Sequence, residues 1–170
     1  MLNSWRVYVP EVIKHTVLIG LVIGLAWVGS SFSCAKIQQG FSYMSPYVNE
    51  GSVVLIDKRP VHEGRLNPED VVCYSFMASD QPISRAGRVV AMPGEIFQVK
   101  GGTFIVDDRI RDTAAIAGIR VYEIPPIMVP EGHVLVMFDR PYASQPLLDN
   151  QLVAFSDIRG IIWKWEGSSR

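Results

Sequence analysis

Two rhythms divide the chain. Between Lys14 and Lys36 stand 21 residues, His15 to Ala35, without a formal charge, centred on Val17-Leu-Ile-Gly-Leu-Val-Ile-Gly-Leu-Ala-Trp-Val28. At about 1.5 Å per residue, a helix of that length covers roughly 30 Å, the thickness of a bilayer's hydrocarbon. A core helix of a globular domain keeps a polar face, and this run has none. A cleaved secretory signal, the other reading, asks for a short basic leader. Here Met1 to Lys14 is long and carries Trp5, Tyr8, Pro10 and Glu11. The pattern predicts a flank over residues 1–14 and a single membrane-spanning helix over 15–36. Trp27, Ser30, Ser31 and Ser33 fall at its far end, where interfacial and small polar residues are tolerated.

Beyond residue 40 the period shortens from helical to strand-like. Eight short runs are rich in β-branched and aromatic residues: 52–56, 71–76, 87–92, 96–99, 103–106, 119–124, 133–138 and 161–165. Gly, Pro, Asn or Asp bound them, and Lys100-Gly101-Gly102 reads as a hairpin turn. The last run, Ile161-Ile-Trp-Lys-Trp165, suits either a core strand or a surface facing membrane or partner. Residues 37–170 therefore read as an all-β domain, a coiled barrel or sheet system.

Composition narrows the functions. The 170 residues are 48% hydrophobic and 19% charged with a mean hydropathy of +0.18, which excludes intrinsic disorder and fits one domain with one appendage. Sixteen basic residues against 17 acidic ones leave no basic face for a nucleic acid. Arg6 and Lys14 precede the span with only Glu11 opposing, and one Lys follows it. That bias places the N-terminus inside and the β domain on the opposite side. Cys34 and Cys73 do not make a disulfide framework and read as two small buried residues. With His15, His62 and His133 they have no metal-ligand spacing, and no phosphate-binding loop appears, so neither metal nor cofactor is expected.

Three segments in order carry a resemblance. Gly40-Phe-Ser-Tyr-Met-Ser-Pro46, followed by Asn49-Glu-Gly-Ser-Val-Val-Leu55, looks like a Ser-Met-x-Pro-Thr box and the strand after it. Arg88-Val-Val-Ala-Met-Pro-Gly-Glu95 is close to Lys-Arg-Val-Ile-Gly-Leu-Pro-Gly-Asp. Val129-Pro-Glu-Gly-His-Val-Leu-Val-Met137 with Asp139, then Leu148-Asp-Asn-Gln151 and Asp157-Ile-Arg-Gly160, resembles the third box and its closing elements. Together they resemble the type I signal peptidase family, especially the small mitochondrial inner-membrane protease subunits. The resemblance implies a membrane-anchored β domain whose relatives hydrolyse peptide bonds with a serine nucleophile and a lysine general base.

At the catalytic positions the resemblance stops. Tyr43 stands where the family has its serine, and Gly87 where it has its lysine. Phe41 replaces a residue that donates a hydroxyl to the oxyanion, Asn150 the serine that orients the lysine, Gln151 the following arginine, and Phe138 a glycine. A tyrosine oxygen lies several ångströms further from the backbone than a serine oxygen, and its pKa near 10 needs a base that Gly87 cannot supply. Ser42 and Ser45 flank the lost nucleophile, with Lys58, Lys100 and Arg85 as the available cations. Ser42 would need a one-residue slip of register, and an arginine cannot act as a base. His133 reads as a half-buried hydrogen-bonding residue, and Asp80, Asp107 and Asp108 as solvated turn residues.

The expectation is a catalytically inactive relative, anchored in the mitochondrial inner membrane with its C-terminal domain in the intermembrane space. Its partners would be other subunits of a membrane complex, of respiratory-chain type, or a sister protease subunit. The alternative is an active serine endopeptidase with a displaced serine, processing signal or sorting sequences.

Overall fold

The computed structural model describes residues 5–37, 44, 47–49, 51–62, 64–78, 81–111, 123–139 and 151–163. Helix α1 (Trp5–Ser31) passes without an intervening residue into strand β1 (Phe32–Lys36). The helix thus starts ten residues before the expected 15–36 and stops five short of its end. The apolar count alone could not separate Phe32–Lys36 from a last helical turn. In the fold these residues alternate, with Ala35 inward and Cys34 and Lys36 outward, and they pair with β2.

Val12–Ser31 has a mean hydropathy of 1.9 and is the one described helix long and apolar enough to cross a membrane. Its apolar side chains from Val12 to Val28 are exposed, unlike those of a core helix. Thr16 Oγ1 and Ser30 Oγ donate to the Val12 and Trp27 carbonyls at 2.8 Å each. Both hydroxyls are thereby satisfied within the helix, as hydrocarbon surroundings demand. No basic residue stands in the last turn of α1. Lys58 supplies the missing cation from a distance, its Nζ donating to Gly29 O at 3.3 Å and its backbone N to Ser31 O at 2.9 Å. A positive group there complements the helix dipole and the unpaired carbonyls.

The remaining elements are β2 (Val53–Asp57), one helical turn α2 (Arg59–His62), β3 (Val71–Ala78), β4 (Gln81–Ala91), β5 (Ile96–Lys100) and β6 (Thr103–Val106). After them come β7 (Arg109–Ile110), β8 (Ile124–Met128), β9 (His133–Met137), β10 (Leu152–Ala154) and β11 (Ile158–Trp163). Among the described residues they form two antiparallel sheets, ordered β1-β2-β11-β3-β4-β9-β10 and β7-β6-β5-β8. The all-β expectation holds, as does the hairpin at Lys100–Gly102. Of the run 119–124, residues 119–122 lie outside the described residues, and the strand found there is Ile124–Met128. Its Pro125 and Pro126 are tolerated because β8 is an edge strand in that order.

The larger sheet is buried on both faces. Along β3, Val71 and Cys73 enter a cluster with Met44, Val48, Ile56, Ala86 and Ile162, while Val72 and Tyr74 enter one with Val89, Val134 and Val136. A third cluster joins the sheets, with Val90, Ala91 and Leu135 against Phe97, Phe104 and Val129. Fully burying each Val, Leu, Ile, Met or Phe among them contributes about 1.5–3 kcal/mol. The Pro93–Gly94 turn makes the crossing, with Gly94 at φ +81°. Arg111 braces it, donating to Val90 O at 3.1 Å and to Glu95 Oε1 at 3.2 Å. Asp107 is more than a solvated turn residue, since its Oδ1 accepts the Ile96 N–H at 2.8 Å.

The cysteines are both free, and they differ. Cys73 is buried as expected, but Cys34 is exposed, because the alternation of β1 turns it outward.

Candidate functional site

The three family-like segments meet around the paired strands β4 and β9. Arg88 lies opposite Met137 and Val89 opposite Val136, with a bulge before Ala91 reaches Leu135. Successive residues of β4 point to opposite faces. Gly87 belongs to the face of Tyr74 and Val136, whereas Ala86 belongs to the face of Met44.

Arg88 is held by a bidentate pair. Its Nε and Nη2 donate to the two carboxylate oxygens of Asp139 at 2.9 and 2.8 Å, and its Nη1 donates to Glu69 O at 2.9 Å. Only 12% of the Arg88 side chain and 8% of the Asp139 side chain are exposed. The Arg88 guanidinium lies 5.5 Å from the centre of the Tyr47 ring, and Asp139 N donates to Met44 Sδ at 3.4 Å. Met44, Arg88 and Asp139 come one from each segment, so this pair ties all three together. The bond to Asp139 pushes the Arg88 pKa further up, while burial raises those of Tyr47 and Glu69. A planar fork matched to a carboxylate in a nearly dry setting is a strong, orienting contact.

Gly87 is packed shut. A Cβ built on it meets Val136 Cγ1, and stands 3.3 Å from Met137 O and 3.5 Å from Tyr74 Cε1. Val136 and Tyr74 are themselves buried. Burial lifts the Tyr74 phenol to about 12 and the Cys73 thiol to about 11, so both stay protonated at physiological pH and neither is an activated nucleophile. The described lysines stand elsewhere. Lys14 lies within α1, Lys58 sits on the end of α1, Lys36 at the end of β1 and Lys100 at the β5–β6 hairpin.

Phe138 is half-buried against the Met44 cluster, and Arg85 Cζ lies 5.4 Å from its ring and 4.2 Å from that of Phe76. Gln151 gives its backbone carbonyl to Val136 N at 2.8 Å, and its Oε1 is buried without a hydrogen-bond partner among the described residues. His133 is half-buried, with Nδ1 3.1 Å from Glu131 O. Phe41, Ser42, Tyr43, Ser45, Asp80 and Asn150 lie outside the described residues. No group of three or more His, Cys, Asp or Glu among the described residues is placed to hold a metal ion.

With this geometry established, comparison gives the family. A profile described as signal peptidase, peptidase S26, matches residues 12–146. This chain belongs to the signal peptidase family, peptidase S26. No curated protein matches it. Among solved structures, a signal peptidase I from Enterococcus faecalis is similar at 15% identity and a TM-score of 0.48, covering 58% of this chain and 97% of that one. Within the family, the Arg88–Asp139 pair is the feature that reading residue by residue missed. Both residues stand in the family-like segments, and their signal is a charge of each sign within or just beyond runs otherwise almost wholly apolar.

Proposed function

We propose that this member of the peptidase S26 family is catalytically inactive. It serves as a membrane-anchored accessory subunit of a mitochondrial inner-membrane complex, with its β domain in the intermembrane space. The observation that carries the reading is the packing at Gly87. A lysine at that position needs space that Val136 and Tyr74 fill, and without a neutral lysine a serine hydroxyl has nothing to take its proton. Tyr43 at the nucleophile position and Asn150 at the orienting one point the same way. Losing members of a catalytic unit costs on the order of 10⁶ in kcat, after which little remains to lose. The buried Arg88–Asp139 pair meanwhile supports a framework kept for binding.

Two measurements test this. The purified chain in detergent should leave a signal-sequence substrate uncut, and cleavage that disappears in Ser42→Ala or Ser45→Ala would establish the displaced-serine peptidase instead. Mild-detergent purification followed by mass spectrometry should recover other membrane subunits, of respiratory-chain type or a sister protease subunit. Recovery of the chain alone, or only with exported preproteins, would overturn the accessory role.

A further inference from the structure

The β3–β4 hairpin reaches past the strands that flank it. Strand β11 pairs with β3 only as far as Tyr74, and β9 pairs with β4 only from Arg88 onward. The hairpin continues with Ser75 opposite Ser84, Phe76 opposite Ile83, Met77 opposite Pro82 and Ala78 opposite Gln81. Among the described residues this end is a two-stranded arm, which is marginal by itself in water and gains from a cover. Directly opposed residues share a face, and successive pairs alternate between the two faces. Ser75 and Ser84 therefore stand on one face with Pro82 and Met77, and Met77 is 62% exposed.

The bulge in β11 aims a charge at this face. Arg159 is the extra residue between Ile158, opposite Tyr74, and Gly160, opposite Cys73. A bulge turns such a side chain away from the direction that regular alternation would give it. Arg159 Nε donates to Ser75 Oγ at 2.9 Å and its Nη1 to Ser84 Oγ at 3.1 Å. The guanidinium is thus fixed across three strands although the residue is exposed. Two neutral hydroxyls do not balance its charge, and no carboxylate among the described residues pairs with it. A guanidinium carries five N–H groups and a serine hydroxyl one O–H. Two of the N–H groups go to the serines, Nη2 keeps both of its own, and each serine, acting as acceptor, keeps its proton to give. Donors outnumber acceptors at this spot.

Such a surplus calls for a negatively charged ligand that only accepts hydrogen bonds. One guanidinium balances one carboxylate, whereas a phosphate dianion would ask for a second cation. The other cation of the arm, Arg85, is taken up by the Phe76 and Phe138 rings, at 4.2 and 5.4 Å from their centres. An exposed charge pair is too weak to hold a free anion, so the carboxylate has to arrive on a larger surface. The exposed Met77 and Pro82 beside the serines give that surface an apolar footing. We propose that Arg159, Ser75 and Ser84 form a docking site for an acidic side chain, aspartate or glutamate, of a partner polypeptide. The proposal rests on the accessory-subunit reading and names a contact by which that partner is held.

The test uses the full chain with its co-purifying subunits in mild detergent, and the variant Arg159→Lys. A water-soluble carbodiimide activates a carboxylate, and an amine in contact with it then forms an amide while the carbodiimide leaves as its urea. The expected result is an amide between position 159 and one aspartate or glutamate of a partner subunit, mapped by mass spectrometry. Its yield should fall several-fold when Ser75→Ala and Ser84→Ala are added. Arg159→Gln should lower recovery of the same subunit several-fold at an unchanged denaturant midpoint. An amide only to carboxylates of this chain, no amide while partner subunits are present, or a yield indifferent to both serines overturns the proposal and leaves the accessory reading standing. A chain that purifies without any partner overturns both.

Discussion

A methyl group added to Gly87 meets Val136 across the β4–β9 pair, in a cluster with little room to relax. Gly87→Ala should therefore cost about 1–3 kcal/mol through overpacking. Val136→Ala alone should cost about 2 kcal/mol through the cavity it leaves. The double variant should lose clearly less than the sum, because each change makes room for the other. Denaturant midpoints of the four proteins measure this coupling, and simple additivity would show that Gly87 is not packed against Val136. The neighbouring buried groups set a pH limit. Burial raises the Cys73 pKa from 9.0 to about 11 and that of Tyr74 from 10.0 to about 12. Both groups are neutral when protonated, and the unfolded chain releases these protons first. Their contribution is complete below pH 9.0 and is lost as pH rises toward 12. Unfolding followed from pH 8 to 11 should show the decline, and Tyr74→Phe should remove its upper part. The sequence raised the expectation of an exchange at position 87 through the resemblance around Arg88 and Pro93-Gly94. It could not reveal the plug, since Val136 is distant in sequence and looks like any strand valine.

Strand β11 holds the larger sheet together from its middle, between β2 and β3. It does so with a bulge between Ile158 and Gly160. Gly160 takes φ +150° and comes so close to β2 that a Cβ there meets the Asp57 carbonyl. Gly160→Ala should lower stability by about 3 kcal/mol, combining a disfavoured conformation with a backbone clash. A denaturant midpoint matching that of the unaltered chain would mean that the strand shifts at no cost. Legibility varied element by element for physical reasons. β3 and β9 are buried on both faces and read as unbroken apolar runs, so both were evident. The first half of β4 was not, because Pro82, Ser84 and Arg85 interrupt the apolar pattern, although β3 pairs with it throughout. β8 was displaced by its two prolines, and β1 was absorbed into the apolar run before it.

At the scale of the whole molecule, the decisive joint is between Ser31 and Phe32. Helix and sheet meet there without slack, and three contacts span the joint: Lys58 N to Ser31 O, Lys58 Nζ to Gly29 O, and Arg59 between Trp27 and Phe32. The sequence located the apolar run to within a few residues, yet a hydropathy count cannot say whether a tether or a rigid joint follows it. A domain on a tether samples every heading. This one has a compass bearing, set by the rotation of its helix, much as a weathervane is set by its shaft. One residue inserted between Ser31 and Phe32, continuing the helix, would swing the domain by about 100° around the shaft. It would leave every strand pairing intact. Such a variant should fold with unchanged thermal stability of the β domain, yet lose the partners proposed above in mild-detergent purification. If it keeps them, the bearing of the domain is irrelevant to assembly. If it loses them, the helix is a pointer as well as an anchor.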